Sequence, residues 1–182
     1  MDRLSLNQCT VPLISNRPLA GPLRRIGFPT TLSESSDDAL RWAIQITKAS
    51  DADLLLFHVL PPPVPLFETE AFEKPEAEKA LSLLLAQVKA TGVRAKASLL
   101  SGTDSIGKQI VDATTLEKID LIVMGTRNRS KAFRLFISGS VACSVVAHAK
   151  CPVLVIPCER VNTSRPIGYR QHLRIRPLKH VD

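Results

Sequence analysis

Five short apolar runs alternate with four stretches of helical periodicity, and this alternation constrains the fold more than any other property of the chain. Arg25 to Thr30 reads RIGFPT behind two arginines, and SESSDDALRWAIQITKAS follows. There, Ala39, Trp42, Ala43 and Ile46 recur at i, i+3, i+4 and i+7, which marks one helical face. Ser33, or Ser35 after it, is the expected N-cap, with Asp37 and Asp38 suited to the positive end of the helix. The run LLLFHVL after Asp53 is continuous and ends at Pro61-Pro62-Pro63, as a strand covered on both faces would. Pro75 to Ala90 places Ala80, Leu81, Leu84, Leu85 and Val88 on one face and stops at Thr91-Gly92.

The second half repeats the pattern. Val93 to Leu100 alternates in part, as an edge strand does, and Ser101-Gly102-Thr103-Asp104 turns the chain into a helix carrying Ile106, Ile110 and Ala113. Asp120 to Met124 is the fourth strand, Ser140 to His148 the fourth helix and Val153 to Ile156 the fifth strand. The order βαβαβαβαβ predicts an α/β fold: an open five-stranded parallel sheet with helices on both faces, Rossmann-like in its winding. Such sheets bind ligands at the carboxyl ends of their strands, where strand order reverses. The loops after Phe28-Pro29-Thr30, Val59-Leu60 and Met124-Gly125 are therefore the ones to watch.

With 182 residues the chain suits one well-buried domain, here assigned to 25–158, with an N-terminal extension (1–24) and a basic C-terminal tail (159–182). Hydrophobic residues at 45% and charged residues at 23% exclude a disordered or collagen-like chain. The formal charge of +7 favours an anionic partner. More than half of that excess lies in the tail, where Arg160, Arg165, Arg170, Arg174, Arg176 and Lys179 face only Glu159 and Asp182. The four cysteines form no CxxC pair, and residues 1–24 lack the apolar core of a signal peptide, so a reducing cytoplasm is expected. No apolar run approaches the ~20 residues that span a bilayer.

The richest stretch chemically is Asp120 to Pro157. Leu121-Ile122-Val123-Met124 is expected to stop at Gly125, and after a polar loop Gly139-Ser140 opens the last helix. Backbone N–H groups at a helix start, backed by the positive end of the dipole, make an anion site, and glycines let a phosphate come close. Arg127, Arg129, Lys131 and Arg134 crowd the loop and can neutralise a polyphosphate or simply be solvated. Ser140 can be an N-cap and a phosphate ligand at once.

From Arg25 to Pro157 the chain resembles the universal stress protein family. The nucleotide signature of that family is glycine, two residues, glycine, nine residues, then glycine followed by serine or threonine. Gly125-Thr126-Arg127 begins it, Asn128 stands at the second glycine, and Arg129 to Ser138 is one residue longer than usual before Gly139-Ser140-Val141. The family's V-P-x-D-x-S at the end of the first strand is here Phe28-Pro29-Thr30-Thr31-Leu32-Ser33, with Thr31 at the acidic position. His58-Val59 is similar to the family's H-V at the end of strand two, near the adenine. If the missing glycine served a positive φ, Asn128 is the best substitute; if it left room for a phosphate, Asn128 obstructs it.

The resemblance implies an adenine-nucleotide site with Pro29, Thr30, Thr31, Ser33, Val59 and Met124 around ribose and base, and Gly125, Arg127, Asn128, Arg129, Gly139, Ser140 and Val141 around the phosphates. ATP or another adenine nucleotide, with or without Mg, is the expected cofactor. The family also implies a homodimer through antiparallel pairing of Val153 to Ile156, and an unpaired edge strand invites such a partner. The expected role is that of a cytoplasmic stress-response sensor or regulator. The alternative is a nucleotide-independent dimer whose basic tail contacts an acidic protein or nucleic acid.

No Walker lysine, Ser-His-Asp order or paired carboxylate set stands out, so slow ATP hydrolysis is the most chemistry expected. His58 ends an apolar strand, where a ring satisfied by a backbone group is a better reading than a general base. His148 and Cys151 are two ligands of the four a structural zinc requires.

Overall fold

The computed structural model describes residues 21–60, 70–126 and 141–157. Strand β1 (Arg25–Pro29) leads through a 3-10 turn (Glu34–Ser36) into helix α1 (Asp37–Ser50). Then come β2 (Asp53–Val59), α2 (Glu70–Ala90), β3 (Ala95–Leu100), α3 (Ile106–Leu116), β4 (Leu121–Thr126), α4 (Val141–His148) and β5 (Val153–Pro157). All strand pairs are parallel, as the alternation of strands and helices predicts, and the structure sets their order as β3-β2-β1-β4-β5.

Two apolar layers flank the sheet. Ala39, Leu40, Ala43 and Ile44 of α1 and Ala77, Ala80, Leu81, Leu84 and Val88 of α2 close over Ile26, Phe28, Leu54 and Leu56. On the other face Ile110 and Val111 of α3 and Val145 of α4 meet Leu55, Phe57, Val59, Ile122 and Met124. Adjacent residues of one strand enter opposite layers, which explains why β2 is apolar without interruption.

Several details depart from the sequence expectations. Trp42 lies outside the buried face of α1 and is 50% exposed; that face consists of Ala39, Leu40, Ala43, Ile44 and Thr47. Helix α2 begins at Glu70, five residues before Pro75, so the proline sits inside the helix and not at its first position. The residue capping α1 is Ser36, not Ser33 or Ser35, and it makes no side-chain capping bond because its hydroxyl is engaged with Thr31. Strand β3 starts at Ala95 rather than Val93. Gly125 does not end β4: it pairs with Ile156 inside the strand, which runs on to Thr126.

Candidate functional site

The chain leaves β1 for α1 on one face of the sheet and reaches α4 on the other face after β4, although β1 and β4 are neighbours. A crevice must open at their carboxyl ends, and the loop after β1 forms one of its walls. Pro29, the last residue of β1, pairs with Phe57. Thr30 is buried; its N–H donates to the Phe57 carbonyl at 2.8 Å and its Oγ1 accepts from the Leu32 N–H at 3.0 Å. Leu32 adopts a φ of 53°, a strained turn for a branched side chain, held by that bond and by burial in the core.

Thr31 is exposed at the tip, and its hydroxyl is the hub of a cluster. Oγ1 lies 2.7 Å from Ser33 Oγ, 2.8 Å from Ser36 Oγ and 3.3 Å from Ser35 Oγ, while the Thr31 N–H donates to Ser36 Oγ at 3.2 Å. Ser33 and Ser35 close the ring at 2.8 Å. Four hydroxyls, each able to donate and accept, therefore stand around the position where the family pattern has a carboxylate. Beneath them, Thr30, Leu32, Ser33, Ser36, Asp37, Leu40 and Leu84 line a cavity of about 20 Å³, the size of a single water.

His58 fixes the floor of this wall. Its Nδ1 lies 2.9 Å from the Thr30 carbonyl oxygen, which can only accept, so Nδ1 carries the proton. Burial pushes the imidazole below its ordinary value of 6.5, and the bond to Thr30 opposes that shift. The ring is satisfied by the backbone, as expected for a partly buried histidine at a strand end.

On the β4 side, a side chain at Gly125 would meet the Ser35 carbonyl at 3.2 Å and Ala39 Cβ at 3.6 Å. Thus the 3-10 turn lies directly on β4, and the glycine serves close approach at that point. Val59 and Met124 are buried in the α3–α4 layer, so only their backbones can reach the crevice. Val141 opens α4, whose first turn has no acidic residue, whereas α1 starts with Asp37 and Asp38. An anion at this end of the sheet is favoured at α4 and opposed at α1. Arg127, Asn128, Arg129, Gly139 and Ser140 lie outside the described residues, as do the basic tail and the N-terminal extension.

The structure thus brings Thr30, Thr31, Ser33 and Gly125 to one wall and adds Ser35 and Ser36, which the motif reading passed over. The run Ser33-Glu34-Ser35-Ser36 is the sequence signal for them. His148 bonds the Ser144 carbonyl through Nδ1 at 2.8 Å, and burial, followed by the charge of Asp120, raises the Cys151 thiol. Among the described residues no three His, Cys, Asp or Glu side chains gather as a metal site.

A doubly wound parallel sheet with a crevice between its first and fourth strands defines an α/β protein of the Rossmann-like class. The universal stress protein family model matches residues 22–157. The chain is 33% identical over 141 residues to the universal stress protein MJ0531 of Methanocaldococcus jannaschii, across 73% of this chain and 81% of that protein. The crystal structure of a universal stress protein in complex with cAMP superposes with a TM-score of 0.58 at 23% identity, over 76% of this chain and all of that one. The Archaeoglobus fulgidus universal stress protein in complex with dAMP gives 0.56 at 22%, over 73% and 96%. The chain belongs to the universal stress protein family.

Proposed function

We propose that this protein binds an adenine nucleotide at the carboxyl ends of β1 and β4 and acts in the cytoplasm as a dimeric sensor or regulator of a stress response. The observation that carries the reading is the crevice itself, with a hydroxyl-rich wall at Thr30, Thr31, Ser33 and Ser36 that rests on the β4 end at Gly125. The cAMP and dAMP complexes of similarly folded proteins support an adenine ligand.

In this reading Gly125, Arg127, Asn128, Arg129, Gly139, Ser140 and Val141 hold the phosphates, through backbone N–H groups, hydroxyl and charge. Pro29, Thr30, Thr31, Ser33, Val59 and Met124 frame ribose and base, Val59 and Met124 through their backbones. ATP is accepted with or without Mg. Hydrolysis, where it occurs, is slow, because the sequence offers no Walker lysine motif and no paired carboxylate set to drive it. The dimer forms along β5, whose apolar residues are only half-buried. Among the described residues no helix is long and apolar enough to cross a membrane.

Equilibrium dialysis of ATP, AMP and cAMP against the wild type and Gly139→Arg tests the site. Binding by the wild type and its loss in the variant are expected. No binding of any of the three at millimolar ligand by the wild type overturns the reading.

A further inference from the structure

Among the described residues, nothing covers an apolar surface that runs from β5 onto α1. Val153, Leu154, Val155 and Ile156 are all only half-buried, and β5 carries no charge. The opposite edge strand, β3, exposes Lys96, a guard of the kind that discourages strand pairing. Edge β5 has no such guard.

Helix α1 extends this surface. Leu40 lies beside Leu84 of α2 at the small cavity, whereas Ala39 abuts β4 at Gly125. Trp42 and Ile46 follow Ala39 at i+3 and i+7, so they stand on the flank turned from α2 toward β5, on the side of the sheet where Leu154 and Ile156 pack. Trp42 is half exposed, Ile46 half-buried and Ala49, one turn beyond, exposed. The strip is continuous with the open edge.

Charge is distributed around α1 in a way that favours a second copy on this strip. Two molecules with a formal charge of +7 repel, so they meet at least cost where bases are missing. The bases of α1, Arg41 and Lys48, are seven residues apart and share a line on the outer side of the helix, turned from Trp42. Trp42, Ile46 and Ala49 are uncharged, and Asp38 at the top of their flank is paired with Arg41 at 3.3 Å. Among the described residues, strand and helix flank together therefore present an apolar face without bases.

The geometry is also compatible with two-fold pairing. Ala39 lies level with Gly125, which pairs with Ile156. At about 1.5 Å per helical residue and about 3.3 Å per strand residue, Trp42 lies near the level of Leu154 and Val155, the middle of β5. A two-fold axis there sets β5 antiparallel to its copy, so that the open backbone groups of one edge meet those of the other. The same axis brings the two Trp42 side chains toward each other above the strand seam.

We propose that Trp42 anchors a self-pairing surface occupied by a second copy of this chain, in which the Trp42–Ile46–Ala49 flank of α1 extends the contact made by β5. The inference rests on the β5 dimer proposed above and adds the helical half of the contact.

The chain has a single tryptophan, so its fluorescence reports on this position alone. Sedimentation velocity and acrylamide quenching are measured on one dilution series of the full chain. Quenching is expected to rise as the dimer dissociates. Trp42→Ala is expected to raise the dimer Kd by about tenfold or more while still unfolding in one cooperative transition. Ala49→Glu, which puts a charge into the strip at an exposed position, should weaken the dimer several-fold. Lys48→Ala, on the other side of the helix, should leave the Kd unchanged. A dimer whose Trp42 quenching is unchanged by dilution and whose Kd is unaffected by Trp42→Ala overturns the anchor and leaves the β5 dimer standing. A monomer at every concentration overturns both.

Discussion

His58 donates from Nδ1 to the carbonyl oxygen of Thr30 across 2.9 Å, joining the end of β2 to the loop that follows β1. The bond persists when the ring is protonated, but the ring then carries a charge in a largely desolvated place. The folded protein therefore binds that proton less readily than the unfolded chain, whose histidine titrates near the ordinary 6.5. The unfolded state takes up protons first, so stability is fully present above 6.5 and falls as pH drops through 6.5 toward the depressed folded value. Urea melts across this range should show wild type losing stability on acidification more steeply than His58→Gln. Parallel pH profiles would refute the desolvation argument.

Sheet winding was legible in the sequence because each buried strand is a dense apolar run and the helices between them show helical spacing, with a stop for α2 at Thr91-Gly92, where Gly92 takes a φ of 85°. Trp42 was misplaced for a definite reason. Its spacing from Ala39 and Ile46 fits a helical face, but those residues define the rim of that face, whereas Leu40, Ala43 and Thr47 define its middle. Pro75 read as a first-turn residue because proline suits that position, yet the helix tolerates it one turn further in. The hydroxyl cluster could not be read from spacing, since it depends on Leu32 turning to positive φ and folding Thr31 back onto Ser36. Gly125 was legible as a glycine requirement, but its reason, the Ser35 carbonyl lying on β4, is tertiary.

Ser36 is the buried member of that cluster, accepting from the Thr31 N–H and bonding the Thr31 hydroxyl at 2.8 Å. Ser36→Ala strips both of these bonds from Thr31 and should destabilise the fold by about 1 kcal/mol, within the usual range for a lost hydrogen bond. If Thr31 contributes to the nucleotide site, the same variant should weaken ATP binding several-fold, because the wall loses its fixed shape. Thermal melts and dialysis of one preparation separate the two effects.

At the opposite end of the sheet, Asp120 Oδ2 accepts from the backbone N–H groups of Arg24 at 2.8 Å and Arg25 at 2.9 Å. The carboxylate ties the entry of β1 to that of β4. Asp120→Ala should destabilise by about 1–2 kcal/mol, toward the lower end for charged acceptors because the site is exposed. Asp120→Asn, which keeps an acceptor oxygen but no charge, should lose about half as much. Urea denaturation of the three proteins checks the order, and equal losses for Asn and Ala would mean that charge outweighs geometry.

Helices α3 and α4 pack tightly at Gly107 and Ser144. A methyl group at Gly107 would stand 2.5 Å from Ser144 Oγ and 2.7 Å from its Cβ, too near for either atom to stay in place. Gly107→Ala should therefore push α4 outward and destabilise by about 1–3 kcal/mol despite the better helix propensity of alanine. Removing the opposing side chain tests the cause. Ser144→Gly alone loses about 1 kcal/mol or less of helix propensity, but combined with Gly107→Ala it should recover much of the loss, leaving a coupling of about 1 kcal/mol or more. Additive losses in a urea double-mutant cycle would place the strain elsewhere. Since α4 begins at Val141, beside the proposed phosphate end of the crevice, the strained single variant should also bind ATP more weakly than its stability alone predicts, and the double variant should regain that binding.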